Sequence, residues 1–243
     1  MTTNTPTTSD DAVIRLDDAV VSLGGFPALA GVTLAVHRGE LIALRGANGT
    51  GKSTLLRLCA GLTALSRGSA RVANIDLSID RAAVRAHVGM LGHMNGLYAE
   101  LTARENVQFT ARLVDAQPHD VDEALARLRI DTRVANTRAR SLSAGQRRRT
   151  ALASLVVRRA QVWLLDEPHA GLDANAREEL DVILTEATHA GATVLYTTHE
   201  AERSTTAAPR TVTLAGGVVA SDVPSRRSGA IGNSTTSTTG DLR

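Results

Sequence analysis

A glycine-rich loop between an apolar run and a helix constrains this sequence most. Residues 41–44 read Leu-Ile-Ala-Leu, which is typical of a strand covered on both faces, and residues 55–58 continue as a helix. The segment between them consists of Gly46, Ala47, Asn48, Gly49, Thr50, Gly51, Lys52, Ser53 and Thr54. In this setting the pattern G-x-x-x-x-G-K-[ST] predicts a P-loop, whose backbone N–H groups and helix N-terminus bind phosphate. We expect Lys52 to reach the β- and γ-phosphates of a nucleotide and the Ser53 hydroxyl to bind Mg²⁺.

A second apolar run, at residues 162–165, ends in two carboxylates, Asp166 and Glu167. Beside a P-loop, this position predicts that Asp166 holds Mg²⁺ together with Ser53. Glu167 is then expected where it can polarise the water that attacks the γ-phosphate. An acidic pair after a strand is, by itself, more often part of an ordinary turn. The P-loop makes the catalytic interpretation the better one.

Strand-like and helical patterns alternate along the chain, which predicts an α/β fold with a parallel core sheet. Residues 13–36 contain strand patterns without intervening helices and predict an antiparallel β side sheet. From about residue 94 to 160 the pattern is helical, with capping-box spacing at Thr102 and Glu105 and again at Asp120 and Glu123. We therefore predict a helical subdomain inserted into the α/β domain.

The two ends of the chain differ in composition from its middle. Residues 1–11 and 221–243 are rich in Thr, Ser and Gly, and we predict flexible tails around one domain at residues 12–220. No apolar run approaches the ~18–20 residues of a membrane span. The N-terminal segment lacks the basic and apolar regions of a secretory signal. We expect a cytoplasmic protein, so any role in transport requires a separate membrane subunit.

Composition argues against several other classes of function. Aromatic residues make up only 2% of the chain, too few for a stacking surface that binds single-stranded nucleic acid, so no nucleic-acid partner is expected. The basic run Arg147 to Arg149 is interpreted as a solvated helix face. Cys59 is the only cysteine, which excludes an intrachain disulfide and indicates a small core residue. The seven histidines lack the spacing of zinc ligands.

Beyond the P-loop, four segments resemble the motifs of the ATP-binding cassette (ABC) family. They are Leu-Ser-Ala-Gly-Gln at 142–146, Asp-Glu-Pro at 166–168, Ala-Gly-Leu-Asp at 170–173, and a histidine at 199 that follows a strand. The first resembles the ABC signature, usually LSGGQ, although its Ser and Gln also have capping-box spacing. Only the P-loop is specific by itself. The order and spacing of all the segments, over about residues 12–205, match an ABC nucleotide-binding domain.

The resemblance implies an ATPase that works as a head-to-tail homodimer of nucleotide-binding domains. Each ATP would lie between the P-loop of one subunit and the signature segment of the other, where a helix N-terminus faces the γ-phosphate. It also implies that Glu167 is the general base, that His199 contacts the γ-phosphate, and that Asp173 communicates across the dimer. The signature residues are Ser143, Ala144, Gly145 and Gln146.

Two positions depart from the family pattern. The family usually has a glutamine between the core and the helical subdomain, where it contacts Mg²⁺, and this chain has His93. A histidine can hydrogen-bond there, but its reach differs and it can become charged near neutral pH. The family also carries an aromatic residue that stacks on adenine. This chain has Leu23 at that position, with Phe26 nearby as an alternative.

Other segments resemble the ATPases of haem exporters for c-type cytochrome biogenesis. They are Gly92-His93, Leu97-Tyr98, residues 101–106, and the three arginines that follow the signature. This resemblance implies multi-spanning membrane permease subunits as partners, at the cytoplasmic face of a bacterial plasma membrane. Drug- or lipid-type ABC exporters share several of these features and remain the alternative. A non-transport ABC ATPase is disfavoured, because those of translation or DNA repair usually have two cassettes or a long coiled coil. Glu167 and His199 together argue against a nucleotide switch that does not turn over.

Overall fold

The computed structural model describes residues 11–92, 95–198 and 210–224, which form two β-sheets and a group of helices. The strands are β1 (Ala12–Leu23), β2 (Phe26–His37), β3 (Leu41–Arg45), β4 (Arg67–Val72), β5 (Ile75–Asp76), β6 (Val88–Leu91), β7 (Val162–Leu165), β8 (Thr193–Thr197), β9 (Arg210–Ala215) and β10 (Val218–Val223). The helices are α1 (Lys52–Cys59), α2 (Leu77–Asp80), α3 (Ala103–Arg112), α4 (Pro118–Arg127), α5 (Thr132–Ala135), α6 (Ala144–Val157) and α7 (Ala174–His189).

The six-stranded core sheet has the order β10-β9-β3-β8-β7-β6, and its strands pair in parallel except at β10. The second sheet, with the order β2-β1-β4-β5, is antiparallel. Both sheets were predicted. The core strands are covered on both faces, because alternate residues of β7 enter different apolar clusters. Val162 and Leu164 pack with the side sheet and α1, whereas Trp163 and Leu165 pack with helices α3, α4, α6 and α7.

Helices α3 to α6 lie between β6 and β7, in the segment predicted to be helical. The capping box at Thr102 and Glu105 begins α3, as predicted. The prediction of a capping box at Asp120 and Glu123 was wrong. Helix α4 begins earlier, with Gln117 as its N-cap, because Pro118 fits the first helical position, where no backbone N–H is needed. Asp120 instead completes a capping box as its third helical residue.

Two further sequence interpretations need correction. The last strand continues to Val223, so residues 221–223 do not belong to the tail predicted from residue 221, because they pair with β9. Residues 225–243 of that predicted tail lie outside the described residues. The basic run on α6 is not a solvated face. Arg148 is only 4% exposed, and Arg149 pairs with Glu179 at 3.4 Å. Arg147 donates to the carbonyl oxygen of Leu142. Each arginine points to a different partner, because successive helical residues are about 100° apart.

The structure also bears on the single cysteine, on clusters of metal-ligating residues and on membrane-spanning helices. Cys59 is fully buried on α1, as expected, and burial raises the pKa of its thiol to about 12. Within the described ranges, no group of three or more His, Cys, Asp or Glu residues is arranged to hold a metal ion. None of the helices in the described part of the chain is both long and apolar enough to cross a membrane.

Candidate functional site

At two positions of the P-loop the backbone conformation favours glycine. Gly46 has φ 143° and Gly51 has φ 100°, both in a region that residues with a side chain rarely adopt. A Cβ at Gly46 would lie 2.4 Å from the carbonyl oxygen of Leu214, and one at Gly51 would lie 2.5 Å from that of Ala28. The loop is therefore packed tightly between the core sheet and the side sheet, and its shape is fixed by these neighbours.

Lys52 begins α1 with its ammonium group turned back over the loop. Its Nζ donates to the carbonyl oxygens of Gly46 at 2.8 Å and Ala47 at 3.0 Å, and the residue is 6% exposed. Residues 47–49 and Ser53 are exposed. The ammonium group of Lys52, the N-terminal end of α1 and the exposed Ser53 hydroxyl thus all belong to the P-loop and the start of α1. Together they offer the chemistry that binds phosphate and Mg²⁺.

The two carboxylates after β7 are organised by a hydroxyl on the neighbouring strand β8. Thr197 Oγ1 donates to Asp166 Oδ1 at 2.8 Å and accepts the backbone N–H of Glu167 at 2.7 Å. Thr197 is fully buried. Because β8 lies between β3 and β7, the P-loop and the acidic pair emerge on either side of it, at the same edge of the sheet. The structure therefore brings Asp166 and Glu167 to the edge that carries Lys52, at the C-terminal ends of the parallel strands, where α/β proteins bind ligands.

The segment 142–146 forms the start of α6. Ser143 is its N-cap and makes a reciprocal capping box with Gln146, with distances of 3.2 and 2.9 Å. Gly145 lies against Ala176 and Leu172, at the beginning of α7. Among the described residues, no hydrogen bond or ion pair joins residues 143–146 to residues 46–54. The signature segment is therefore not bonded to the P-loop of the same chain within the described residues.

Segment 167–173 is held by contacts at both of its ends. Asp173 is the N-cap of α7 and accepts the Ala176 N–H at 2.8 Å. His169 Nε2 lies 2.8 Å from Asp181 Oδ1 on α7, and its ring meets the edge of Tyr196 with centroids 5.6 Å apart. The loop between the acidic pair and Asp173 is thus fixed to α7.

Two predicted site residues, His93 and His199, lie outside the described residues. The two candidates for adenine stacking lie at the turn between β1 and β2. Leu23 is 50% exposed and Phe26 is 79% exposed. Phe26 is two residues before Ala28, whose carbonyl packs against Gly51. An exposed aromatic ring therefore lies on the strand that borders the P-loop.

Comparison with known proteins identifies the family. Residues 29–170, more than half of the 243-residue chain, match the family model described as ABC transporter. The chain belongs to the ABC transporter ATPases. This ABC ATPase is 37% identical over 196 residues to the cytochrome c biogenesis ATP-binding export protein CcmA of Cupriavidus necator, covering 80% of this chain and 86% of that protein. It is 33% identical over 213 residues to the lactose transport ATP-binding protein LacK of Rhizobium radiobacter, covering 86% of this chain but 58% of that protein.

A solved structure supports the same assignment. The fold matches an ATP-binding cassette determined as a dimer in a post-hydrolysis state with ADP and Pi, with a TM-score of 0.74 and 25% sequence identity. The match covers 86% of this chain and 97% of that one. The predicted fold class, ATP as the nucleotide and the ATPase activity are thereby confirmed for this ABC ATPase.

Sequence reasoning missed three residues that shape the site: Thr197, Arg148 and His169. Thr197 is the last residue of the apolar strand β8, which lies beside β7. A threonine at the end of an apolar run was the signal that the sequence offered. The other two gave no signal, because their partners lie at least 12 residues away in sequence.

Proposed function

We propose that this ABC ATPase drives an exporter that supplies haem for c-type cytochrome biogenesis. The observation that carries the proposal is how fully the chain matches its relatives. It covers 86% of the Cupriavidus necator export protein, whereas the lactose protein extends well beyond the match. The match therefore spans most of the cytochrome-type relative as well as most of this chain. Haem would pass through membrane subunits, and this chain would supply the free energy of ATP hydrolysis.

We infer that two copies bind two ATP molecules between them, head to tail. The support is geometric. The N-terminus of α6 begins at an exposed Ser143, which forms no hydrogen bond with the described P-loop residues of its own chain. In a facing copy, the backbone N–H groups and positive dipole end of α6 would meet the γ-phosphate bound by Lys52. Ser143, Ala144, Gly145 and Gln146 would form that contact.

Within each site, the chain's own groups would divide the chemistry of phosphoryl transfer. Lys52 and the P-loop N–H groups would bind the β- and γ-phosphates and offset the negative charge that develops on them. Ser53 and Asp166 offer hard oxygen ligands and would hold Mg²⁺, which would supply positive charge that stabilises the transferred phosphoryl group. Glu167 would orient the attacking water and accept its proton.

The remaining proposed roles follow the family resemblance. His199 would contact the γ-phosphate, and His93 would contact the nucleotide site. Asp173, fixed as the cap of α7, would communicate with the second subunit. The exposed ring of Phe26 would stack on adenine in place of the usual aromatic residue.

An apolar surface on the helical subdomain supports a membrane partner. Tyr98, Phe109, Leu113 and Val114 are 55%, 41%, 71% and 41% exposed, and the two rings meet edge to face at 5.0 Å. Clustered exposed apolar residues are typical of protein interaction surfaces. We propose that a multi-spanning permease subunit contacts this surface, with the ATPase bound at the cytoplasmic face of the plasma membrane.

The test is to delete the gene in its host, complement with the native protein or Glu167→Gln, and stain the membranes for covalently attached haem. The proposal predicts loss of c-type cytochromes, restored only by the native protein. Normal cytochromes after deletion would contradict haem export. The exported molecule would then belong to another class, such as a drug or a lipid, without affecting the assignment as an ABC ATPase.

A further inference from the structure

The guanidinium group of Arg148 spans the point where two core strands separate. β6 and β7 are paired up to Leu91 and Leu165, and the Asp166 N–H donates to the Leu91 carbonyl at 2.8 Å. Beyond that bond, Arg148 Nη1 donates to the carbonyl oxygen of Gly92 at 3.3 Å, and its Nη2 donates to that of Glu167 at 3.5 Å. A side chain of α6 thus connects the two diverging chains where the sheet no longer does.

Arg148 is also a buried cation without an acidic partner. It is 4% exposed, and within residues 11–92, 95–198 and 210–224 it forms no ion pair with a carboxylate. Its Nε has no hydrogen-bond partner there either, and burial lowers the pKa of the group. Apolar side chains of similar volume commonly replace such buried charges without loss of stability. Stability alone therefore does not explain an arginine at this position.

The peptide that Arg148 contacts has an unusual conformation. Glu167 has φ 48°, in the left-handed region, which a residue with a long side chain keeps only when its surroundings fix it. Its N–H is held by Thr197 on β8, and its carbonyl is held by Arg148 on α6. The direction of the Glu167 side chain depends on both of these contacts.

We propose that Arg148 is a positioning residue that holds the Glu167 peptide in its reactive orientation and couples it to α6. The planar guanidinium group carries donors in a fixed fork, which suits two carbonyls on diverging chains. The start of α6 is the segment proposed to contact ATP in the facing subunit. A shift of α6 would therefore move the Glu167 peptide and the Gly92 carbonyl together. This inference rests on the proposed role of Glu167 as general base.

The test compares Arg148→Met, Arg148→Lys and Arg158→Met. Each variant is made in the full-length chain and is purified together with its membrane subunits as a complex. The readouts are kcat and KM for ATP, together with the Tm of the full chain. Arg158 is the matched control, since it lies at the far end of the same helix and donates to the Arg85 carbonyl at 2.7 Å. Arg148→Met is expected to lower kcat about 100-fold with KM within about 3-fold, because a misplaced base slows the chemical step more than binding.

The same variant is expected to keep or raise Tm, because it removes an unpaired buried charge. Arg148→Lys keeps the positive charge but not the planar fork, so it should recover only part of kcat. Arg158→Met should match the native kcat. A native kcat in Arg148→Met overturns the proposal, as does a loss of kcat that is accompanied by a fall in Tm. Glu167→Gln is measured alongside. If it hydrolyses ATP normally, the general-base assignment fails; if only Arg148→Met is normal, the positioning role alone fails.

Discussion

At the scale of single residues, the site depends on groups that orient the reactive ones. Thr197 shows this most directly, since one buried hydroxyl donates to Asp166 and accepts the N–H of Glu167. Without it, the carboxylate that would hold Mg²⁺ and the peptide of the proposed base each lose a partner in a buried place. Buried polar groups left without partners are costly, typically about 1–3 kcal/mol.

Thr197→Val is therefore expected to reduce the free energy of unfolding by about 1–3 kcal/mol, because it removes the hydroxyl that bonds both Asp166 and the Glu167 N–H. ATP hydrolysis should fall by about 10-fold or more, since both carboxylates lose their orientation. Thr197→Ser keeps the hydroxyl and serves as the control. Urea unfolding and steady-state ATPase assays check the two effects. Native hydrolysis in the valine variant would show that Asp166 and Glu167 are oriented without this hydroxyl.

Cys59 gives a second prediction at this scale. Burial raises the pKa of its thiol to about 12, so the thiolate is nearly absent at pH 8. The native protein should resist iodoacetamide at that pH, while the urea-unfolded chain should be alkylated at this single position. Mass spectrometry of the intact chain counts the added groups. Rapid alkylation of the folded protein would mean that α1 opens more readily than its packing indicates.

At the scale of elements, two helices begin with the same capping box but have different roles. Ser143 caps α6 and Thr102 caps α3, each with a reciprocal bond from the third helical residue. The sequence pattern predicted both, because a cap depends on residues only three apart. The α4 cap was misread although Pro118, the usual signal of a first helical position, was present in the sequence.

Replacing either capping residue with alanine should lower the free energy of unfolding by about 1 kcal/mol, since each leaves one N-terminal N–H unpaired. Only Ser143→Ala is expected to weaken ATP-dependent dimerisation as well, because α6 alone begins at the proposed contact with the facing nucleotide. Urea unfolding measures the first effect, and light scattering with ATP measures the second. Equal dimerisation of the two variants would argue against the signature role of α6.

At the scale of the whole molecule, much of the fold could be predicted from local patterns. The P-loop, the apolar strands and the helical insertion are each encoded by consecutive residues. The contacts between these elements involve residues that are far apart in the sequence. Arg148 reaches carbonyls 56 and 19 residues away, so its burial could not be seen in a run of three arginines. A charged run has the same sequence whether it faces solvent or crosses a core, and only the packing of α6 decides between the two.

Besides the pairing of β9 with β3, the Arg210 side chain links the last two strands to the rest of the molecule. Arg210 on β9 donates two bonds to Asp222 on β10, at 2.8 and 2.6 Å, and also contacts Glu40 and the Ala35 carbonyl at 2.9 Å. The hydrogen bond from Arg210 is the main reason that the pKa of Asp222 lies below its ordinary value of 3.8. A carboxyl whose pKa is lowered by folding stabilises the fold at every pH above its pKa in the unfolded chain. This contribution is lost as the pH falls through the pKa of the folded protein.

The free energy of unfolding of the native protein should therefore exceed that of Asp222→Asn by about 1 kcal/mol near neutral pH. The difference is small because Asp222 is partly exposed and water screens its ion pair. It should shrink as the pH falls below 3.8, where the unfolded-state carboxyl becomes protonated first. Urea unfolding at a series of pH values measures it. A difference that stays constant through that range would mean that Arg210 does not hold Asp222 through its charge.

The most direct test of the account is the ATP turnover of Glu167→Gln in the membrane complex, relative to the native protein. The substitution keeps the size of the side chain and removes the carboxylate that would accept the proton. We expect hydrolysis to fall at least about 100-fold while ATP still binds and the dimer remains in its ATP-bound form. Turnover at the native rate would contradict the proposed mechanism, because Glu167 would then not be the general base of this ATPase.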